Sequence, residues 1–206
     1  MKKWNSYVDY VMEQAQKLLA IDSPSGYSRE VTDYLLAELG RLGVTARRTV
    51  KGGVLADLGG KNEKDAILLE AHCDTLGAMV AQIKANGRLV LSPVGGLQPE
   101  NCEAENCRIY TRFGGTYTGC LQLNDASVHV NPEVNAPRSF DTNIEVLIDE
   151  DVHCPEDVRK LGIEVGDFVT LDPRTVVTSS GYIKSRFLDD KVCCAILLAY
   201  AKYVKE

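Results

Sequence analysis

The sequence predicts an α/β chain interrupted by a small β-rich module. Two amphipathic helices open it and short apolar strands follow. Past about Gly77 the pattern becomes glycine-punctuated and β-rich, and a strongly apolar helix then closes the 206 residues. This divides the chain into residues 1–75 with 178–206, an α/β domain, and residues 76–177, an inserted β-rich domain.

Each element has a local reason. Trp4, Tyr7, Val8, Val11, Met12, Ala15, Leu18 and Leu19 recur at three- and four-residue spacing, so 4–20 reads as an amphipathic helix. "IDSPSGYSRE" is turn chemistry in which Ser25 or Ser28 can cap a second helix. That helix places Val31, Leu35, Leu39 and Leu42 on one face and stops at Gly43. Strands are expected at 44–50, 53–58 and 66–72, broken by Gly52-Gly53 and Gly59-Gly60. In the module, turns at Gly87, Gly95-Gly96, Gly114-Gly115 and Gly119 separate short β runs. "CPEDVRKLG" reads as one short helix between Pro155 and Gly162, and "GDFVTLDP" and "GYIKSRF" return to strand pattern. In the closing helix Val192, Ala195, Ile196, Ala199 and Tyr203 form a stripe that Leu197 and Leu198 widen. A helix this apolar expects cover on more than one side.

Composition narrows the function. Lys plus Arg number 23 against 29 Asp plus Glu, a net charge of −6, which disfavours a nucleic-acid groove or a polybasic membrane patch. No apolar stretch approaches the roughly 20 residues of a membrane helix. "MKKWNSYVDY" is charged and then amphipathic, unlike a secretory signal. With that start, an odd count of seven cysteines favours reduced thiols and a cytoplasmic protein. Cys102 and Cys107 lack the second pair that a zinc knuckle needs. Cys193 and Cys194 read as small hydrophobes in the last helix.

Two clusters carry candidate chemistry. In "AILLEAHCDTLGAMV" an apolar run ends in His72 and Asp74, which share a face if the strand continues. Open α/β sheets place ligand sites at strand carboxyl ends. There an imidazole can bind a metal through one nitrogen while its other N–H meets a carboxylate. A histidine satisfied by a neighbouring acid remains the plain alternative. In "SRFLDD", Asp189 and Asp190 open the last helix. They suit dipole complement and capping or, alternatively, one rigid carboxylate bridging two metal ions. His129, between valines in "ASVHVNP", reads as an ordinary strand histidine, and His153 as a residue at a helix entrance. Tyr110, Phe113 and Tyr117 read as sheet packing or interface residues.

"LLEAHCDTLGAMV", "GRLVLSPVGG", "LGIEVGDFVTLDP" and "GYIKSRFLDDKVCCAILLA" follow one another in this order. The ordered set resembles the tetrahedral, glutamyl-type metallo-aminopeptidases of metallopeptidase family 42, some of them labelled endoglucanases. The resemblance implies a phosphorylase/hydrolase-like α/β catalytic domain interrupted by a β-rich dimerisation domain. It implies His72 and Asp189 as metal ligands, with Asp189 bridging, and Asp74 as the acid that orients His72. Two divalent ions, zinc or cobalt, peptide substrates cleaved at their N-terminal residue, and a homo-oligomer built through the inserted domain follow from the same likeness. The family's general base and an adjoining glutamate ligand are expected beyond the last helix, with further ligands later still. The 206 residues are therefore expected to be an incomplete chain, inactive alone. Lys191 stands where many relatives carry arginine, and Val54 where asparagine is common. A non-catalytic oligomerisation scaffold is the alternative reading. A glycoside hydrolase is weaker, because it needs two facing carboxylates that the metal reading does not already use.

Overall fold

The computed structural model describes residues 2–62 and 64–206, with side chains described from Trp4 onward. The chain divides into two compact units: Met1–Thr75 with Pro173–Glu206, and Leu76–Asp172.

The first unit is built on helices. α1 (Lys2–Ala20) and α4 (Leu188–Lys205) pack together, with α2 (Arg29–Arg41) beside them. Tyr10, Ala15 and Leu18 of α1 meet Val31 and Leu39 of α2 and Cys194, Ala195, Leu198, Ala199 and Ala201 of α4 in one buried cluster. The small residues of α4 at that seam let the helices approach closely. Tyr10 sits at the polar margin of this core, where its hydroxyl bonds Glu38, which Arg41 also holds through Nε at 2.8 Å and Nη2 at 2.6 Å. α2 runs from Ser28, which makes no side-chain capping bond, to a left-handed Gly43. A hairpin of β1 (Thr45–Arg48) and β2 (Val54–Asp57) follows, with Thr45 opposite Asp57. A short ribbon pairs β9 (Val176–Val177) with β10 (Ile183–Lys184) ahead of α4.

The sequence predicts a strand over 66–72, and here the structure differs. Residues 66–72 belong to no strand, and sheet pairing of this stretch begins only at a parallel bridge between Pro24 and Thr75. A strand is defined by its neighbours, so β-favouring residues without a partner strand do not make one.

The second unit is a closed six-stranded barrel. In chain order its strands are β3 (Gly77–Ile83), β4 (Leu89–Val94), β5 (Asn106–Tyr110), β6 (Thr116–Leu123), β7 (Ile144–Ile148) and β8 (Phe168–Leu171), and around the barrel they run β3-β4-β7-β6-β5-β8, all neighbours antiparallel. Closure removes the exposed edges an open sheet would leave. Alternation sends Val80, Leu89, Leu91, Ile109, Leu121, Ile144, Val146 and Val169 into the buried core. Glu145 is also buried, and its carboxylate is held by Lys84 Nζ at 2.6 Å and Arg88 Nη1 at 2.5 Å. A short helix, α3 (Pro155–Lys160), has Pro155 in its first turn.

Residues 124–143 carry no strand, so His129 does not sit in the alternating strand that its valine neighbours suggested. Local polar chemistry prevails there: Asn131 Nδ2 donates to Asp125 O at 2.6 Å and Asn143 Nδ2 to Pro137 O at 3.0 Å. Tyr110 and Tyr117 lie on β5 and β6, whereas Phe113 is exposed in the turn between them.

The barrel core gives one pH prediction. Burial pushes the Cys107 thiol up from 9.0 to about 12. The folded state therefore holds this proton more tightly than the unfolded chain. The resulting stability is complete below about pH 9 and is lost as pH rises toward 12, at about 1.4 kcal/mol per pH unit. Cys107→Val is expected to flatten that alkaline decline, measured by urea unfolding between pH 8 and 10.5. Equal slopes in both proteins would contradict it.

Candidate metal centre

The candidate site lies wholly in the first unit, where residues 72–75 come up beside the loop after α1. Thr75 N donates to Ser23 O at 2.8 Å, and Ser25 N to Thr75 O at 3.2 Å. Ser23 Oγ adds a bond to Cys73 O at 2.7 Å. These bonds fix alternate side chains: Ala71 and Cys73 pack toward the helical core, while His72 stays exposed.

The imidazole of His72 stands between two carboxylates. Its Nδ1 is 3.2 Å from both the backbone oxygen and Oδ1 of Asp74. Its Nε2 is 3.0 Å from Asp189 Oδ1. Asp74 is held in turn by Ser25, whose hydroxyl donates to Oδ2 at 2.5 Å. Burial opposes a positive imidazole here, but the bonds to Asp74 and Asp189 outweigh it and raise the His72 pKa above its ordinary value.

Asp189 reaches this position because α4 does not begin regularly. Phe187, the residue before the helix, is left-handed (φ 63°) and makes no side-chain cap. Asp189 is extended (φ −81°, ψ 108°) and Asp190 is also non-helical. The Asp189 side chain is 94% exposed, so its approach to His72 is not imposed by burial.

Lys191, one residue further on, is 1% exposed. Its ammonium donates to Leu18 O at 2.9 Å and Ile21 O at 2.5 Å, tying the start of α4 to the end of α1. Burial lowers its pKa from 10.5 to about 8, with Asp22 opposing the shift.

The arrangement tests whether a cation fits. A neutral imidazole that donates Nδ1–H to Asp74 presents the Nε2 lone pair to the Asp189 carboxylate, an acceptor facing an acceptor. Such a pair closes only around a proton or a metal ion. Two ligands at ordinary zinc distances in tetrahedral geometry stand about 3.3 Å apart, close to the 3.0 Å observed. One nitrogen and one carboxylate oxygen therefore suit a divalent ion. Among the described residues no group of three or more His, Cys, Asp or Glu gathers around one point, because Asp74 lies on the Nδ1 side of the ring.

The sequence placed His72, Asp74 and Asp189 as candidates, and the structure brings all three together. It also brings in Ser25, which the sequence suggested only as a helix cap, and Ser23. The signal for them was present in "DSPSG", a run of short hydroxyl side chains in a turn, without any indication of the segment they would hold.

Residues 52–206 match the family model described as M42 glutamyl aminopeptidase. The chain belongs to this family. The M42 chain is 45% identical over 187 residues to the candidate aminopeptidase YhfE of Bacillus subtilis (strain 168), a match that takes in 91% of this chain and 54% of that protein. It is 25% identical over 202 residues to the glutamyl aminopeptidase of Lactococcus lactis subsp. cremoris (strain MG1363), covering 95% of this chain and 55% of that one. Among solved structures, aminopeptidase APDkam598 from the archaeon Desulfurococcus kamchatkensis superposes with a TM-score of 0.82 at 26% identity, over 96% of this chain and 52% of that one. The structural likeness is consistent with an α/β hydrolase-like fold. The M42 chain spans about half the length of the relatives it matches.

Proposed function

We propose that this chain carries part of the metal centre of an aminopeptidase that removes N-terminal residues from peptides. The observation that carries the reading is the 3.0 Å approach of His72 Nε2 to Asp189 Oδ1, across 117 residues of sequence. His72 and Asp189 would hold a divalent ion, zinc or cobalt, with Asp189 available to bridge to a second. Such ions supply an activated water at neutral pH and a Lewis acid for the scissile carbonyl. The chain's own residues prepare the donors. Ser25 fixes the Asp74 carboxylate, Asp74 accepts a hydrogen bond from Nδ1–H, and the Nε2 lone pair is thereby aimed at the cation position. Two protein donors do not complete a dinuclear site, so hydrolysis belongs to the full M42 length and this half is proposed to be inactive alone.

We place the protein in the cytoplasm, on the odd count of seven cysteines that its sequence carries. No helix among the described residues is long and apolar enough to cross a membrane. One solved relative, 21% identical, is described as a TET1 peptidase that assembles into a tetrahedron or a large octahedral shell. A homo-oligomer formed through the barrel unit is part of the same proposal.

Titrating the chain with cobalt(II) and following its visible absorption tests the metal reading. Saturable uptake is expected, with His72→Ala and Asp189→Asn each weakening affinity by at least tenfold. Asp74→Asn should cost about 10- to 100-fold. Because the metal displaces a proton held above the ordinary histidine range, affinity should fall as pH drops through neutrality. Equal affinity across the three variants would refute the assignment. Oligomers without stoichiometric uptake would favour the scaffold reading, which the two-donor count supports.

A further inference from the structure

The two candidate donors meet although nothing local brings them together. Among the described residues no backbone hydrogen bond joins residues 72–75 to residues 186–191. His72 and Asp189 are both exposed, so packing does not press one side chain against the other. Asp189 belongs to an irregular helix start without a side-chain cap, where two non-helical residues give α4 no fixed entry of its own. Yet Nε2 and Oδ1 stand 3.0 Å apart. Both segments are fastened to a third, the loop after α1. On the histidine side, Thr75 N donates to Ser23 O and Ser25 N to Thr75 O. Ser23 Oγ donates to Cys73 O and Ser25 Oγ to Asp74 Oδ2. On the aspartate side, Lys191 lies two residues past Asp189 and donates to Leu18 O and Ile21 O. Ile21 is in turn two residues from Ser23, so the two anchor points adjoin.

We propose that Lys191 is a positioning residue, which sets the separation of His72 and Asp189 by fixing the start of α4 to the loop that holds residues 73–75. The proposal deepens the metal reading and rests on it for what that separation serves. The burial of the ammonium supports the role. A buried charge is a poor source of stability, because an apolar side chain of like volume packs as well. What an apolar side chain lacks is direction. Apolar contact is non-directional, whereas a hydrogen bond fixes both a distance and an angle. Two such bonds, to carbonyls three residues apart, hold the first turn of α4 in one place against the loop. Precision of this kind matters at a metal centre, whose donors must be held within about 0.5 Å of their productive geometry. Lys191 acts on the donors through the backbone: through Asp190 to Asp189 on one side, and through Ile21, Ser23 and Ser25 to residues 73–75 on the other.

The test compares Lys191→Met, Lys191→Arg and Val31→Ala in the 206-residue chain. Methionine keeps the stem and removes the donors, whereas arginine keeps donors enough for both carbonyls. Val31→Ala empties part of the same helical core from α2, so it reports lost stability alone. The first readout needs no metal. At fixed pH the ring nitrogen shifts of His72 report its contact with Asp189, and Asp189→Asn gives their values once that contact is lost. Lys191→Met should move them at least halfway to the Asp189→Asn values, while Lys191→Arg and Val31→Ala stay near wild type. The second readout is cobalt(II) binding followed by visible absorption. Lys191→Met should weaken it about tenfold or more and alter the band shape, and Lys191→Arg should recover most of the loss. Wild-type ring shifts in Lys191→Met would overturn the proposal, as would an equal change in Val31→Ala. No cobalt uptake by the wild-type chain would refute the metal reading instead, and the ring shifts would still decide whether Lys191 holds the pair together.

Discussion

Gly119→Val is expected to prevent the barrel from closing. Gly119 lies in β6, opposite Ile148 of β7 on one side and Cys107 of β5 on the other. A Cβ at this position would stand 2.6 Å from the carbonyl oxygen of Leu147 and 3.1 Å from Val146 Cγ1. The first obstacle is backbone in a paired strand, so it cannot swing aside as a flexible side chain would. Relief requires separating β6 from β7, and with them the ladder that joins the two arcs of the barrel. Overpacking of a well-packed core by a few methyl groups costs typically 1–3 kcal/mol. A clash with ladder backbone belongs at the upper end for alanine and beyond it for valine, which approaches the whole stability of a small domain. Gly119→Ala should lose about 3 kcal/mol in urea unfolding. Gly119→Val should lose protection of the β6 and β7 amides in hydrogen exchange. Near-native stability of the valine variant would show that β6 and β7 pack less closely than described here.

Lys191→Ala is expected to cost about 3–4 kcal/mol, the largest effect in the helical unit. The change empties the space of a fully buried stem and leaves Ile21 O without the ammonium donor, while Leu18 O keeps only the Ile21 N–H at 3.2 Å. Unsatisfied buried acceptors cost about 1–3 kcal/mol each and the cavity adds to that. One effect opposes these. The lowered pKa means that the charged amine is itself disfavoured in this place by about 3 kcal/mol relative to the neutral form. Lys191→Met, which keeps the packing and removes the charge, should therefore cost only about half as much as alanine. The pH dependence has a definite sign. The folded-state pKa of about 8 lies below the ordinary 10.5, so the unfolded chain binds more protons between those values. Wild-type stability from this group thus rises from pH 8 to 10.5, and the deficit of the methionine variant should grow over the same interval. A neutral amine still has two N–H donors for the two carbonyls. A deficit independent of pH would show that Lys191 stays charged throughout.

Local sequence showed much of this molecule. The spacing of Tyr7, Val11, Leu18 and their neighbours foretold α1, and Pro155 and Gly162 bracket α3 as turn chemistry requires. Gly52-Gly53 marks the hairpin between β1 and β2. These elements depend on interactions within a few residues, which the sequence displays directly. His72, Asp74 and Asp189 were also visible as candidates, by residue type and by family resemblance, because the proposed chemistry draws on a short alphabet of side chains.

What depended on distant partners was not visible. The run Ala66–Leu69 has every local feature of a strand, yet without neighbouring strands its backbone stays unpaired. Val128, His129 and Val130 alternate as a strand would and lie in turns instead, because asparagine side chains satisfy the backbone there. Ser25, readable only as a cap, spends its hydroxyl on Asp74, 49 residues away. Glu145, in a strand whose neighbours are apolar, is buried with its charge met by Lys84 and Arg88 from the turn between β3 and β4, the strand next to its own. The sequence by itself determined the helices, the turns, the residue types of the site and the family. Tertiary structure alone decided barrel closure, the meeting of His72 with Asp189, and which apolar segments found cover. The division has one cause: periodicity and turn chemistry act over a few residues, whereas strand pairing and charge compensation exist only once remote segments share a place in space.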